Sequence, residues 1–165
     1  MNLYLLRHGI ASWLPGAFQG DDDQRPLTPE GVKQVLLLGE TLALLNLRPQ
    51  FILHSPLLRA ADTARHIGKA LAIPGRVKAY NPLRPGFDAN RLRYLLKEHA
   101  HCEELMVVGH MPDLAYAVKT LTGGDVKFAE ATLAHVQVMQ PAETPHGTLV
   151  WLAPAELLTR IGHSA

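Results

Sequence analysis

Cysteine is almost absent: Cys102 is the single one in 165 residues, so no internal disulfide can form and the fold must rest on apolar burial. The chain also lacks an excess of either charge. Sixteen Lys and Arg face fifteen Asp and Glu, a formal +1 with neutral histidines, which leaves no broad cationic face for a nucleic-acid backbone or an anionic membrane. Long apolar runs are missing. Stretches such as residues 35–39 and 106–109 fall far short of the ~20 residues that a membrane-spanning helix requires. Nor does a basic stretch followed by a long apolar run and a cleavage site open the sequence. Together these features point away from nucleic acid and membrane, and towards a reducing, cytoplasmic setting. A composition of 47% hydrophobic and 19% charged residues excludes disorder and fibrous repeats. The length predicts a single domain over 1–165, large enough to bury on the order of 70% of the surface its unfolded chain exposes, with no structural metal needed for folding.

Short apolar runs alternate with helical periodicity. Residues 2–6 read as a buried strand running into Arg7-His8-Gly9, and residues 9–27, which hold Pro15, Gly16, Gly20 and the acidic run Asp21-Asp22-Asp23, read as a loop. Thr28-Pro29-Glu30 supplies an N-cap, a first-turn proline and an acid, predicting a helix to about Leu45. Residues 51–54 form a second strand, followed at Ser55-Pro56 by a turn into a helix with Arg59 in its first turn. A third strand is predicted over 77–80, then a helix over 89–99 capped by Asp88. A fourth, over 105–108, ends at Gly109-His110 before a helix to about Leu121, stopped by Gly123-Gly124. Beyond that, strands at 132–139 and 148–152 flank a turn-rich stretch, 141–147, and read as an antiparallel pair before a short helix at 154–160. The pattern predicts a three-layer α/β/α sandwich around a mostly parallel sheet with an antiparallel edge.

In such sheets ligands bind beyond the carboxyl ends of the strands. Arg7, His8, Arg59 and His110 all fall there, and guanidinium and imidazole groups converging on one point fit a phosphate. Each guanidinium offers a planar charged fork that matches phosphate oxygens. At ~4 Å and an effective dielectric near 20, each charge pair contributes about 4 kcal/mol before desolvation. The same charges favour a neutral His8, with one ring nitrogen free to attack phosphorus and the other held by an acceptor. His110, charged or sharing a proton, would donate to a phosphoryl oxygen. The scheme calls for no metal and no cofactor.

Leu6-Arg7-His8-Gly9, then Ser55-Pro56-Leu57-Leu58-Arg59-Ala60-Ala61-Asp62-Thr63-Ala64, then Val107-Val108-Gly109-His110, taken in order, resemble the histidine phosphatase (phosphoglycerate-mutase-like) superfamily. The likeness covers nearly the whole chain. It implies a three-layer α/β/α fold, His8 as the phosphorylated nucleophile, and Arg7, Arg59 and His110 as the phosphate pocket. The short length and Arg25-Pro26-Leu27-Thr28 most resemble the phosphohistidine phosphatase branch, whose members remove phosphate from histidine on phosphorelay or phosphotransfer proteins. That implies a phosphohistidine-bearing protein as the partner.

One departure bears on the substrate. Larger members carry an acid after the third strand that protonates an alcohol leaving group, whereas Tyr80-Asn81-Pro82-Leu83-Arg84-Pro85 holds no carboxylate. Imidazole leaves more readily than an alkoxide, which favours a phosphohistidine substrate. Asp22 and Asp88 are candidates for a substitute proton donor, and Arg25 is a candidate for a further phosphate ligand. Two alternatives stay open, a phosphomonoesterase for small molecules and a module that binds phosphoprotein without turnover. The remaining features receive plain readings: His66 at the surface, His99 and His101 solvated rather than metal-binding, Asp21-Asp22-Asp23 a solvated loop, Cys102 an ordinary thiol. His54, His135, His146 and His163 are given no role.

Overall fold

A computed structural model describes residues 1–13, 20–139 and 144–162. Pro15 and Gly16 of the first loop, residues 141–143 of the expected turn, and His163 lie outside the described residues. Six strands form one sheet: β1 (Asn2–Arg7), β2 (Phe51–His54), β3 (Val77–Ala79), β4 (Glu104–Gly109), β5 (Leu133–Met139) and β6 (His146–Ala153), in the spatial order β3-β2-β4-β1-β5-β6. The first four are mutually parallel, and β5 and β6 run antiparallel at one edge. The helices are α1 (Pro29–Leu44), α2 (Leu58–Ala70), α3 (Ala89–Glu98), α4 (Asp113–Thr122) and α5 (Ala155–Gly162).

The continuous apolar runs of β1, β2 and β4 follow from burial on both faces. Leu3, Leu5, Leu53, Leu105 and Val107 pack against Leu92 and Leu95 of α3 and Leu114 and Val118 of α4. Tyr4, Leu6, Ile52, Met106 and Val108 face Leu38 and Leu42 of α1, Ala64 and Ile67 of α2, and Leu158 of α5. This gives the three-layer α/β/α sandwich. Each fully buried leucine contributes on the order of 2 kcal/mol. β5 is covered on its inner positions only, hence its alternating character.

Register sets the position of the site. Arg7 lies opposite Gly109, and His54 opposite Val108. Past the strand ends the His8 N–H still donates to the Gly109 carbonyl and the Ser55 N–H to that of Val108. The motifs of β1, β2 and β4 therefore emerge side by side at one rim. The first of these loops is fixed by close packing. A Cβ on Gly31, in the first turn of α1, would collide with the Ile10 carbonyl, and one on Gly9 would come within 2.6 Å of Val35 Cγ2. The cap at α1 is as expected, with Thr28 Oγ1 accepting from the Gly31 N–H at 2.9 Å.

Small departures from the sequence expectation occur at boundaries and in the first loop. β3 stops at Ala79, and β6 begins at His146 rather than at 148. The expected loop contains a bridge between Ala11 and Leu27 and a short 3-10 turn at Asp22–Gln24, closed by the Asp21 carboxylate accepting from the Asp23 N–H.

Candidate active site

His8 follows β1 directly and is buried, its ring centroid 5.2 Å from that of His110. His8 Nδ1 lies 2.8 Å from the Gly9 carbonyl oxygen. A carbonyl can only accept, so Nδ1 holds the proton and Nε2 of the neutral ring keeps its lone pair. Burial is the main cause that lowers the His8 pKa to about 4; the Gly9 hydrogen bond, the next-largest effect, opposes it, and the charges of Arg59, Arg7 and Arg25 lower it further. One ring nitrogen of His8 is thus anchored, and its surroundings favour the neutral ring.

His110, after β4, is buried with its Nε2 2.8 Å from Ser55 Oγ. The Ser55 oxygen also accepts from the Leu57 N–H at 3.4 Å, and among the described residues its hydroxyl proton has no other acceptor than His110 Nε2. The His110 proton accordingly sits on Nδ1, which is buried and without a hydrogen-bond partner in the described structure. Burial, followed by His8 and Arg59, pulls the His110 pKa to about 3. Of the two states considered for His110, charged or sharing a proton, this burial and these neighbouring charges disfavour the charged one.

The arginines are gripped from behind. Arg59, in the first turn of α2, has a side chain only 5% exposed, and its two terminal nitrogens donate to the Asp22 carbonyl at 2.9 Å and carboxylate at 3.0 Å. Arg7 donates to the Phe128 carbonyl at 2.8 Å and to Glu130 Oε1 at 2.6 Å. In both, Nε is buried and lacks a partner among the described residues. Burial and Arg25 lower the Arg59 pKa while Asp22 opposes them. The guanidinium stays charged. Arg25 Nε lies 2.9 Å from Asp22 Oδ1 but off the hydrogen-bonding line, and its charge acts on both histidines.

The structure thus brings Arg7, His8, Arg59, His110, Arg25 and Asp22 together. Asp88 is elsewhere employed: it caps α3 by accepting from the Arg91 N–H at 2.9 Å. The acidic run is solvent-exposed as expected, but two of its carboxylates are also engaged: Asp22 grips Arg59 and Asp23 pairs with Arg84 at 2.6 Å. Asp22 was open to sequence reasoning only as a carboxylate three residues before Arg25. Several other participants carry no local signal. Ser55 reads as a turn residue, yet it fixes the His110 tautomer. Thr63 is fully buried, donates to the Arg59 carbonyl at 2.7 Å and accepts from the Gly9 N–H at 3.1 Å, tying the nucleophile loop to α2. His54 repeats the geometry of His8 one strand further along, with Nδ1 2.8 Å from the Ser55 carbonyl. His66 is half-buried, and the His99 and His101 rings stack at 6.3 Å.

An imidazole with one ring nitrogen anchored and the other free, clustered with guanidinium groups and a second histidine whose buried nitrogens lack partners among the described residues, is an arrangement suited to an anionic ligand. The histidine phosphatase superfamily (branch 1) model matches residues 3–80, a span that includes Arg7, His8 and Arg59. An uncharacterized protein of Picosynechococcus is 36% identical over 126 residues, which is 75% of this chain and 74% of that protein. The phosphohistidine phosphatase SixA of Escherichia coli is 28% identical over 162 residues, 95% and 96% of the two chains. A structure of the protein histidine phosphatase SixA complexed with tungstate superposes with a TM-score of 0.84 at 26% identity, covering 96% of this chain and 99% of that one. The chain belongs to the histidine phosphatase superfamily and is a phosphatase. Among the described residues no helix is long and apolar enough to cross a membrane.

Proposed function

We propose that the chain is a phosphohistidine phosphatase acting on a phosphotransfer domain or phosphocarrier protein, in the cytoplasm, through a phosphorylated His8. The observation that carries this reading is the clustering of His8, its Nδ1 anchored on Gly9 and its Nε2 left free, with Arg7, Arg59 and His110, whose buried Nε and Nδ1 atoms have no partner among the described residues. In the first step Nε2 bonds to phosphorus while the P–N bond to the substrate histidine breaks. With its other ring nitrogen protonated, that histidine departs as neutral imidazole, so no enzyme acid has to supply a proton. The phosphorylated His8 is set up in the same way, because Nδ1 retains its proton against Gly9. Attack by water then breaks the second P–N bond and releases phosphate. Throughout, the N–H groups of Arg7, Arg59 and His110 meet the charge on the equatorial oxygens, with Arg25 as a further ligand.

The likeness to SixA over almost the full chain supports this substrate class. Asp22, the candidate acid that lies in this cluster, accepts from Arg59, which suits a fixed acceptor better than a proton donor. Turnover of a phosphorylated histidine-phosphotransfer domain should exceed that of small phosphate esters by more than a hundredfold in kcat/KM. Stronger turnover of the esters would favour the small-molecule phosphomonoesterase, with Asp22 as acid. Absence of phosphate release from either would favour a binding module.

A further inference from the structure

The loop between α4 and β5 grips the nucleophile segment at four points. The Phe128 carbonyl and the Glu130 carboxylate accept from the two terminal nitrogens of Arg7, the Ala131 N–H donates to the His8 carbonyl at 3.1 Å, and the Thr132 carbonyl accepts from the Arg7 N–H at 3.0 Å. Ala131 takes up the left-handed region, with φ of 52°, to make the turn. A non-glycine residue adopts that conformation at a cost, which the surrounding contacts must offset. Glu130 is the single carboxylate among those four contacts, and its side chain is 39% exposed at the rim while that of Arg7 is 21% exposed.

An unheld arginine side chain samples many rotamers, and ordering it on binding weakens affinity. Three guanidinium groups, those of Arg7, Arg25 and Arg59, act together on His8 and so repel one another. Asp22 offsets two of them, and Glu130 offsets the third. From this geometry we infer that Glu130 is a positioning residue: it fixes the outer edge of the Arg7 guanidinium so that the buried Nε–H remains available to a phosphoryl oxygen. The inference rests on the reading of Arg7 as a phosphoryl ligand.

The test is calorimetric titration of the whole chain with orthovanadate, which needs no turnover, in the wild type, Glu130→Ala, Glu130→Gln, Arg7→Ala and the Arg7→Ala/Glu130→Ala double variant. Glu130→Ala should weaken vanadate binding about tenfold. Glu130→Gln, whose amide oxygen still accepts, should stay within about threefold of wild type. In the Arg7→Ala background the Glu130 change should have no further effect, an outcome that a general loosening of the loop would not produce. Unchanged or tighter binding by Glu130→Ala, or an equal loss with and without Arg7, overturns the inference. Should Glu130→Ala not fold, Glu130→Met keeps the side-chain length without an acceptor and carries the same expectation. Failure of the wild type itself to bind vanadate would instead overturn the phosphoryl-site reading on which the inference stands.

Discussion

Burial is the largest of the effects that favour the neutral forms of His8 and His110. Their folded pKa values, about 4 and about 3, lie below the ordinary 6.5. Between those values and 6.5 the unfolded chain binds more protons than the folded one, so stability rises with pH across that window. Stability from these two groups is fully present above about pH 6.5 and is lost as pH falls through 4. Denaturant midpoints should therefore decline from pH 6.5 towards 4, and the decline should be shallower in His8→Asn. The His8 ring resonances should titrate with a midpoint near 4; a midpoint near 6.5 would contradict the neutral-nucleophile reading. Ser55→Ala tests the tautomer of His110. Without the hydroxyl donor at Nε2 the ring is free to move its proton there, and kcat should fall about tenfold for a stability change of about 1 kcal/mol, read by kinetics alongside urea unfolding.

Among the elements, β1, β2 and β4 were plain in the sequence because strands buried on both faces leave short unbroken apolar runs. α1 and α3 announced themselves through Thr28 and Asp88, whose side chains cap as expected. The chemistry-bearing residues at the strand ends were legible for the same reason: Arg7-His8 and Gly109-His110 each interrupt such a run abruptly, and Arg59 falls at the start of a periodic helix. The contacts that tune them were not legible. Asp22 reaches Arg59 across 37 positions, Ser55 reaches His110 across 55, and Glu130 reaches Arg7 across 123. Such pairings follow from sheet order and register, and neither is written in a local pattern. The close approach of the β1 loop to α1 yields its own prediction. Gly31→Ala places a methyl group against the Ile10 carbonyl and should cost about 2–3 kcal/mol in urea unfolding. A loss below 0.5 kcal/mol would show that this packing gives way easily.

For the molecule as a whole, the sheet brings together what the chain keeps more than a hundred positions apart, and two acidic segments hold the cationic cluster in shape. Salt bridges at the margin matter little by comparison: Asp23 and Arg84 are both partly exposed, and replacing Asp23 with Asn should change stability by less than about 1 kcal/mol. Asp22→Asn acts where Arg59 is buried, and should reduce kcat/KM by about tenfold or more while leaving the sheet intact by circular dichroism. Transfer of the phosphoryl group to His8 is tested by acid-free quenching of the enzyme during turnover of a phosphohistidine protein, followed by phosphorus NMR and peptide mapping of the trapped species. The trapped species should carry phosphorus on Nε2 of His8 and should be absent in His8→Asn. Phosphate on any other residue, or a phosphoenzyme that persists in His8→Asn, would contradict it.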